Sequence, residues 1–477
     1  MQILNALQWF NRVRLTGLIG FLILLLSLRY EWYHLPPESL KVLQITTFSF
    51  GRVFSGGVIL VLGIGWIRWQ GGALRFTVWL ALGLTLLFPY GLMTWRPQQA
   101  FLALSYWHQL SQVDIQVETS FAEVQNHWKQ FISLAQFQPL PTLATFDIPD
   151  TRFFQLSQWD HVLLDGFGYS NGFFAFIGQG WSLTITGLVI VLLAVYLRGN
   201  SRLLLLYQDL RQGLPIVVIV VGLLLIHMIG ANLWERALEV AYARGDYAAV
   251  GQQSPWLMRI YPPFQGDPHG WRRYGDSLYY QGHPDVGLSA FCQGMAHYQG
   301  HRFAQAIPYL EQAWQAHPQL LVIREYLAAA LINQGTAYFN APTLPFSVHG
   351  NNYPNFSNSP LNPIAPNSQR QLNNRKSGGT SALLEQALAL FPGHIQALYD
   401  LMLVKAVDQQ YEASAAIATT ILHEQQYFQT PNIGLMGQAH VHQTWADYHR
   451  GDLNGAWEAY RRSVNSDVWH QEPLTDE

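Results

Sequence analysis

The order of apolar and polar residues divides the chain into two halves. The first half contains long apolar stretches, and a helix of about 20 apolar residues spans the roughly 30 Å hydrocarbon core of a bilayer. Stretches near this length occupy 13–30, 51–67, 73–94, 173–197 and 213–233. The pattern predicts a polytopic helical membrane domain, with three transmembrane helices in 1–95 and two in 173–233. Residues 96–172 connect the two groups.

The arginines predict how these helices are oriented, because short loops rich in Arg and Lys remain cytoplasmic. One side of the membrane carries Arg12, Arg14, Arg68, Arg75, Arg198, Arg202 and Arg211. The acidic segment 96–172 is then an external loop domain, and everything after residue 234 also lies outside the cytoplasm. The first external loop does not fit this orientation, because it contains the basic residues Arg29, Lys41 and Arg52. An error of one in the number of helices would reverse the orientation of the C-terminal half.

Beyond residue 231 the pattern changes to shorter helical segments with a repeated turn signature. Trp234, Gly245-Asp246-Tyr247 and Pro262 follow one another at fixed spacing. A bulky residue begins a first helix, Gly and Asp reverse the chain, and Pro ends a second helix. This segment resembles a tetratricopeptide repeat, a pair of helices about 34 residues long.

Related signatures continue to the end of the chain. A second copy runs from Gly294 to Pro318, a third ends at Pro392, a fourth covers 394–426, and a fifth turns at Gly451-Asp452. The resemblance implies an α-solenoid over 234–470, so that the whole chain is predicted to be all-α. The segment 341–380 interrupts the array and is rich in Asn, Pro and Ser. It is predicted to be a disordered loop, either functional or an insertion without a role.

The resemblance also implies where a partner binds, because four positions of each first helix line the concave groove in this family. In this sequence they include Glu235, Glu239, Tyr242, Phe291, Met295, Tyr298, Tyr399, Trp445 and Tyr448. Chaperone-type members hold a terminal carboxylate with Lys and Asn, and the lysines are missing at these positions. The groove is therefore predicted to bind a helix or an extended peptide through aromatic anchors. The alternative is that these aromatics only pack within the superhelix.

Composition limits the function classes. Charged residues make up 12% of the 477 residues, about half the usual share of roughly 25%. This excludes a disordered chain and disfavours an ordinary soluble enzyme. The net charge of −3 gives no basic face for nucleic acid. The single cysteine, Cys292, excludes an intrachain disulfide and a cysteine-cluster metal site.

Candidate chemistry is sparse, and no catalytic residue, metal or cofactor is predicted. The densest histidine cluster consists of His440, His442 and His449. Residues two positions apart, such as His440 and His442, do not share a helical face. His227 lies deep in an apolar stretch, either as a functional group or bonded to a neighbouring helix. Asp160 and His161 belong to an aromatic, acidic stretch of the external domain. That stretch either binds a cation or sugar or forms a helical cap.

These patterns favour a membrane-anchored scaffold whose repeat groove binds a protein partner, a subunit of a membrane or envelope complex that it assembles or stabilises. The alternative is a membrane enzyme, or a subunit of one, in envelope glycan or lipid-linked sugar transfer. A third hypothesis is an accessory factor in cofactor or cytochrome maturation. Lysine is scarce, 4 residues against 23 arginines, and glutamine is abundant, which suggests a bacterial source. The predicted location is a bacterial inner, plasma or thylakoid membrane, with the repeats periplasmic or lumenal.

Overall fold

The computed structural model describes residues 2–32, 35, 55–62, 71–87, 109, 143–148, 177–197, 222–223, 226–227, 229–340, 366–428 and 431–466. The elements within these residues are helices, which confirms the all-α prediction. The chain forms two compact units: 1–104 with 150–285, and 105–149 with 286–477. Residues 234–285, predicted as the start of the repeats, therefore belong to the first unit. Part of the predicted external domain, 105–149, belongs to the second unit with the later repeats.

Apolar helices form the N-terminal part of the first unit. They are α1 (Gln2–Ser27), the helical residues 55–62, α2 (Gly71–Leu86) and α3 (Gln179–Leu197). Their common core includes Leu24, Leu62, Val78, Leu188 and Val191. Helices α1 and α3 meet at Gly20 and Gly187, where an added Cβ would lie 2.7 Å from Val191 or Leu24. Small residues permit this close approach, as at the interfaces of membrane helices.

One helix within the described residues is long and apolar enough to cross a membrane. It covers Gln179–Tyr196 in α3 and coincides with the fourth predicted span. Shorter apolar stretches, Leu15–Ser27 and Arg75–Leu86, lie within the first and third predicted spans. The second and fifth predicted spans lie for the most part outside the described residues.

Large apolar side chains also cover the outside of this helix cluster. On α1 the exposed positions include Leu15, Leu18, Leu22 and Leu25, and on α2 they include Phe76, Leu80 and Leu84. Spacings of three and four residues place each set on one helix face. The helices are thus apolar on the face that packs and on the face that does not. A helix that is apolar all round is typical of a protein core or of a bilayer.

Polar groups inside the cluster are paired locally. The Thr184 hydroxyl donates to the Gly180 carbonyl and accepts a hydrogen bond from the Trp32 indole N–H at 3.1 Å. Ser55 lies 3.3 Å from the same hydroxyl, so one threonine joins three chain segments. The Trp181 indole N–H donates to the Thr85 carbonyl at 2.7 Å. Such pairing removes most of the cost of placing polar groups in an apolar environment.

Short amphipathic helices complete the first unit. Helical residues 229–243 lead into α4 (Tyr247–Ile260), a 3₁₀ turn (Pro262–Gly266) and α5 (Pro268–Tyr280). Asp246 and Asp267 cap α4 and α5 by accepting hydrogen bonds from main-chain N–H groups. Helix α4 continues through Pro255, although a proline inside a helix is expected to bend or shorten it. Leu238, Leu257, Met258, Tyr261 and Phe264 form the core beneath these helices.

The second unit is a run of helices, each packed against the next. In chain order they are α6 (Val286–Gln299), α7 (Phe303–Ala316), α8 (Leu321–Asn340), α9 (Pro366–Leu390), α10 (Ile395–Val407), α11 (Tyr411–Gln425), α12 (Ile433–Arg450) and α13 (Leu453–Ser466). The packing of each helix on the next one in the chain gives a helical-repeat architecture. Helix α9 begins at Pro366, inside the segment predicted as a loop, and 341–365 lies outside the described residues.

The same turn recurs between helices that follow one another in the chain. A residue with positive φ ends the first helix at Gly245, Gly282, His301, Gln409 and Gly451. The N–H of the residue after it donates to the carbonyl five positions earlier, as in Asp246 to Ala241 and Asp452 to Asp447, both 2.9 Å. This is the Schellman arrangement, which satisfies carbonyls that a helix end otherwise exposes. Its recurrence gives the predicted turn signature a common backbone geometry.

Candidate functional site: a groove around an extended segment

An extended segment of the chain, Leu143–Ile148, lies against helix α8 of the second unit. Leu143 and Phe146 are buried, whereas Thr145 and Asp147 are exposed. The local sequence favours this shape, because Thr145 and Ile148 are β-branched and the residue before a proline avoids the helical region. Pro149 follows Ile148 directly. We call the surface of α6, α8 and α10 that holds this segment the α8 groove.

Asn333 holds the main chain of Phe146 at both polar groups. Its Oδ1 accepts the Phe146 N–H at 2.6 Å, and its Nδ2 donates to the Phe146 carbonyl at 2.9 Å. A carboxamide carries both functions on one planar group, so it pairs with a residue's N–H and C=O as a neighbouring strand would. Asn333 itself is buried, and water does not compete for these bonds.

Asn340 repeats this arrangement at Leu143. Its Oδ1 accepts the Leu143 N–H at 3.0 Å, and its Nδ2 donates to the Leu143 carbonyl at 2.6 Å. Seven residues of α-helix rise about 10.5 Å, and three residues of extended chain cover about 10 Å. Asparagines seven apart on a helix therefore match main-chain groups three apart on an antiparallel segment. Between them, Thr336 lies with its hydroxyl 3.4 Å from the Ala144 carbonyl.

Tyr298 completes the contact at the other side of the segment. Its hydroxyl donates to the Phe146 carbonyl at 3.0 Å and accepts a hydrogen bond from Asn333 Nδ2 at 3.1 Å. Burial raises the pKa of Tyr298, and Tyr326, Asp147 and Glu325 raise it further. The phenol therefore stays protonated and keeps its hydrogen available for the carbonyl.

The Phe146 side chain is fully buried in a pocket beside His394. The two rings meet edge to face, with centroids 4.8 Å apart, and Phe391 contacts the same imidazole. His394 is the N-cap of α10 and is fully buried, which lowers its pKa to about 3. The imidazole is neutral at physiological pH, so its 3.8 Å approach to the Glu325 carboxylate is not an ion pair. The Phe146 ring thus fills a buried space beside a neutral imidazole.

Gln109 provides a second contact of the 105–149 segment with the repeats. Its Oε1 accepts the Ile395 N–H at 2.9 Å, and the side chain is fully buried. The acceptor occupies the N-terminus of α10, where N–H groups have no partner within the helix. The segment between the predicted membrane spans thus packs on the second unit at Gln109 and at 143–148. Asp160 and His161 lie outside the described residues.

The structure gives the other sequence-predicted groove residues partners within the chain or buries them. In the first unit, Glu239 forms a 2.8 Å ion pair with Arg273, Glu235 lies 3.6 Å from the same guanidinium, and Tyr242 donates to Asp276 at 2.6 Å. Since Arg273 also meets Asp267 at 3.2 Å, these carboxylates surround an internal cation.

The remaining predicted residues lie in the second unit. Phe291, Met295 and Tyr399 are buried in the interior, and Trp445 and Tyr448 pack between α12 and α13. Of the predicted residues, Tyr298 is the one with a described hydrogen bond to the extended segment. The sequence did not predict three residues that bond the segment: Asn333, Thr336 and Asn340. The signal that could have identified them is a set of polar residues at spacings of three and four on a helix that is mostly apolar.

His442, a fully buried histidine of the second unit, lies beside a serine hydroxyl. The Ser414 hydroxyl lies 2.6 Å from His442 Nδ1 but donates its hydrogen to the Met402 carbonyl at 2.9 Å. It therefore accepts from the imidazole and is not activated as a nucleophile. Burial lowers the pKa of His442 to about 3. Among the described residues, no group of three or more His, Cys, Asp or Glu side chains is placed to hold a metal ion.

His227 is bonded outside its own helix. Its Nε2 lies 3.0 Å from the Ile260 carbonyl at the end of α4, and its ring meets Tyr261 edge to face. This geometry agrees with the interpretation of His227 as a packing residue.

Comparison of the chain with protein-family models, with curated proteins and with solved structures finds no match.

Proposed function

We propose that the chain is a membrane-anchored scaffold of tetratricopeptide type that holds a protein partner through the α8 groove. The observation that carries the proposal is the pair of asparagine clamps on an extended main chain. Asn333 and Asn340 contact N–H and C=O groups, which every polypeptide offers. A groove that pairs with main chain is a means of binding protein, since a sugar or a lipid has no such alternation of donors and acceptors.

Membrane anchoring is supported by the outer surface of the helix cluster. Exposed leucines on α1 and on α2 would place a large apolar area in water, which soluble monomers rarely do. In this proposal the cluster belongs to a polytopic domain of five spans, in a bacterial plasma, inner or thylakoid membrane. The arginine distribution then places the repeats on the periplasmic or lumenal side.

The tetratricopeptide assignment is supported by the recurring turn and by the helix pairs. Schellman turns at Gly245, His301, Gln409 and Gly451 lie at or within one residue of the turn expected in four of the repeats. In the proposal the scaffold assembles or stabilises a membrane complex, and its partner is a subunit of that complex.

Affinity purification of the full chain in mild detergent tests the proposal. A protein should co-purify with the wild type, and Asn333→Ala with Asn340→Ala should reduce its recovery at least about tenfold, as the loss of several paired hydrogen bonds predicts. Gln305→Ala, at an exposed position of α7, is the matched control and should retain the partner. Recovery that does not depend on the asparagines would contradict the proposal. Co-purification of a lipid-linked glycan instead would favour the enzyme hypothesis.

A further inference from the structure

The α8 groove buries two side chains of the segment that it holds. Leu143 and Phe146 are 3% and 0% exposed, whereas Thr145 and Asp147 face solvent. The asparagine clamps fall on the same two residues, so main-chain pairing and side-chain burial coincide every third position. The groove therefore combines hydrogen bonds to main-chain groups, which do not depend on sequence, with the burial of one aliphatic and one aromatic side chain.

We infer that the α8 groove binds extended segments with an aliphatic residue three positions before a phenylalanine, and that Leu143–Ile148 is an internal copy of this ligand. A partner segment of the same chemistry replaces it. This inference rests on the proposed function and names the partner class of the same groove. Specificity follows from this burial: a segment without the ring leaves the space beside His394 empty, and that void is costly.

A partner segment can replace the internal one because the contacts are local to a short stretch of chain. The bonds at Asn333, Thr336, Asn340 and Tyr298 all go to main-chain atoms, so a second extended segment in the same direction meets the same partners. A ligand tethered in the same chain acts at a high effective concentration. A free segment must overcome this tether, and its apparent affinity falls by the fraction of grooves that are open.

A synthetic peptide with the sequence of residues 141–149, fluorescently labelled, measures this competition on the detergent-purified full chain. Phe146→Ala weakens the internal copy and should raise the affinity for the peptide at least about tenfold over the wild type. Thr145→Ala, at an exposed position of the same segment, is the control and should not change it. Adding Asn333→Ala to Phe146→Ala should abolish binding. A Phe146→Ala chain that retains its helical circular dichroism and binds no tighter than the wild type overturns the inference.

A second measurement avoids any destabilising change. Cys292→Ser removes the native thiol, and Thr145→Cys places an environment-sensitive fluorophore on the exposed side of the segment. Unlabelled peptide should shift its emission in a saturable way, and a peptide with alanine in place of its phenylalanine should not. The absence of a shift at millimolar peptide overturns the inference. If the peptide causes no emission shift but a protein still co-purifies in an asparagine-dependent way, the scaffold function stands and the inference that Leu143–Ile148 copies the ligand is refuted. Peptide exchange without a co-purifying protein refutes the scaffold function alone.

Discussion

The side chain of Asn333 pairs with both main-chain polar groups of Phe146, a residue 187 positions earlier in the chain. The carboxamide thus supplies what a neighbouring strand supplies in a sheet. A buried main-chain group left without a partner costs roughly 1–3 kcal/mol, and Asn333 is the side chain that bonds both polar groups of Phe146, so we expect it to contribute strongly to the position of the segment. The contact uses both the donor and the acceptor of the Asn333 side chain. Replacing the amide nitrogen by oxygen therefore tests it.

Asn333→Asp keeps the size of the side chain but removes its donor. The carboxylate still accepts the Phe146 N–H, but it faces the Phe146 carbonyl with a second oxygen. We expect the free energy of unfolding of the second unit to fall by about 1–3 kcal/mol at pH 7, measured by urea denaturation in detergent. Asn340→Asp, at the exposed end of the groove, should cost less. Equal effects of the two changes would contradict the burial argument.

His442→Asn should reduce the loss of unfolding free energy that the wild type shows as the pH falls. The folded chain keeps His442 neutral because burial lowers its pKa to about 3, whereas the unfolded chain protonates it below 6.5. The wild type therefore loses about 1.4 kcal/mol per pH unit at this group as the pH falls from 6.5 towards 3. Asparagine offers a donor near the position of Nδ1 for Ser414 and does not titrate.

Denaturation of both proteins at pH 8 and pH 5 measures the effect. Relative to the wild type, the variant should gain about 2 kcal/mol in free energy of unfolding between the two values. A difference that is the same at both would show that His442 is protonated inside the fold.

Asp400→Asn should stabilise the chain increasingly as the pH rises. Burial raises the pKa of Asp400 well above 3.8, so the folded chain holds a proton that the unfolded chain releases. The wild type then loses about 1.4 kcal/mol per pH unit above 3.8 until the folded pKa is reached. Gln396 donates to Asp400 at 2.8 Å, and an amide oxygen accepts the same bond. Chemical denaturation at pH 4 and pH 8 should show the advantage of the variant growing, and a constant advantage would refute a protonated Asp400.

Gln409→Gly should stabilise the turn between α10 and α11. Gln409 has a φ of 62°, a left-handed conformation that costs an L-residue roughly 1–2 kcal/mol. Glycine adopts it without this cost, although it also gains freedom in the unfolded chain. We expect a net gain of about 1 kcal/mol in thermal or urea unfolding. Gly451→Ala, at the equivalent turn with a φ of 82°, should lose a similar amount. A loss at Gln409→Gly would mean that the glutamine side chain outweighs the backbone cost.

Gly20→Leu should disrupt the contact of α1 with α3. A side chain there would meet Val191 at 2.7 Å, and overpacking of this kind typically costs 1–3 kcal/mol. Gly83→Leu on α2 is the matched control, because nothing lies within 4 Å of its added Cβ. Thermal stability in detergent, followed by size-exclusion chromatography, should fall for Gly20→Leu and remain near the wild-type value for Gly83→Leu. Equal behaviour of the two would contradict the close packing.

Local signals predicted the helices and their turns well. Gly-Asp pairs at 245 and 451 end one helix and begin the next, as capping chemistry requires. His301 and Gln409 adopt the same turn without glycine, and there only the helical pattern on either side indicated it. The apolar run at 173–197 predicted α3, because length and hydropathy are properties of consecutive residues.

The candidate groove was predicted less completely. Tyr298 was selected by its repeat position and does contact the extended segment. Phe291 and Trp445 were selected by the same rule and are packed inside the unit, because a repeat position indicates which way a residue faces but not what covers it. The glutamates of the first copy are paired with Arg273, which lies 34 or more positions later in the chain.

The sequence by itself determined an all-helical chain, a strongly apolar N-terminal half and a repeat-like C-terminal half. These features depend on periodicity and turn chemistry within a few tens of residues. Only the tertiary structure decided that Leu143–Ile148 lies in the α8 groove. The residues whose side chains bond the segment lie 152 to 197 positions from it in sequence, and their bonds go to main-chain atoms. Main-chain atoms are the same at every position, so such a contact leaves no pattern in the side chains of the segment that is held.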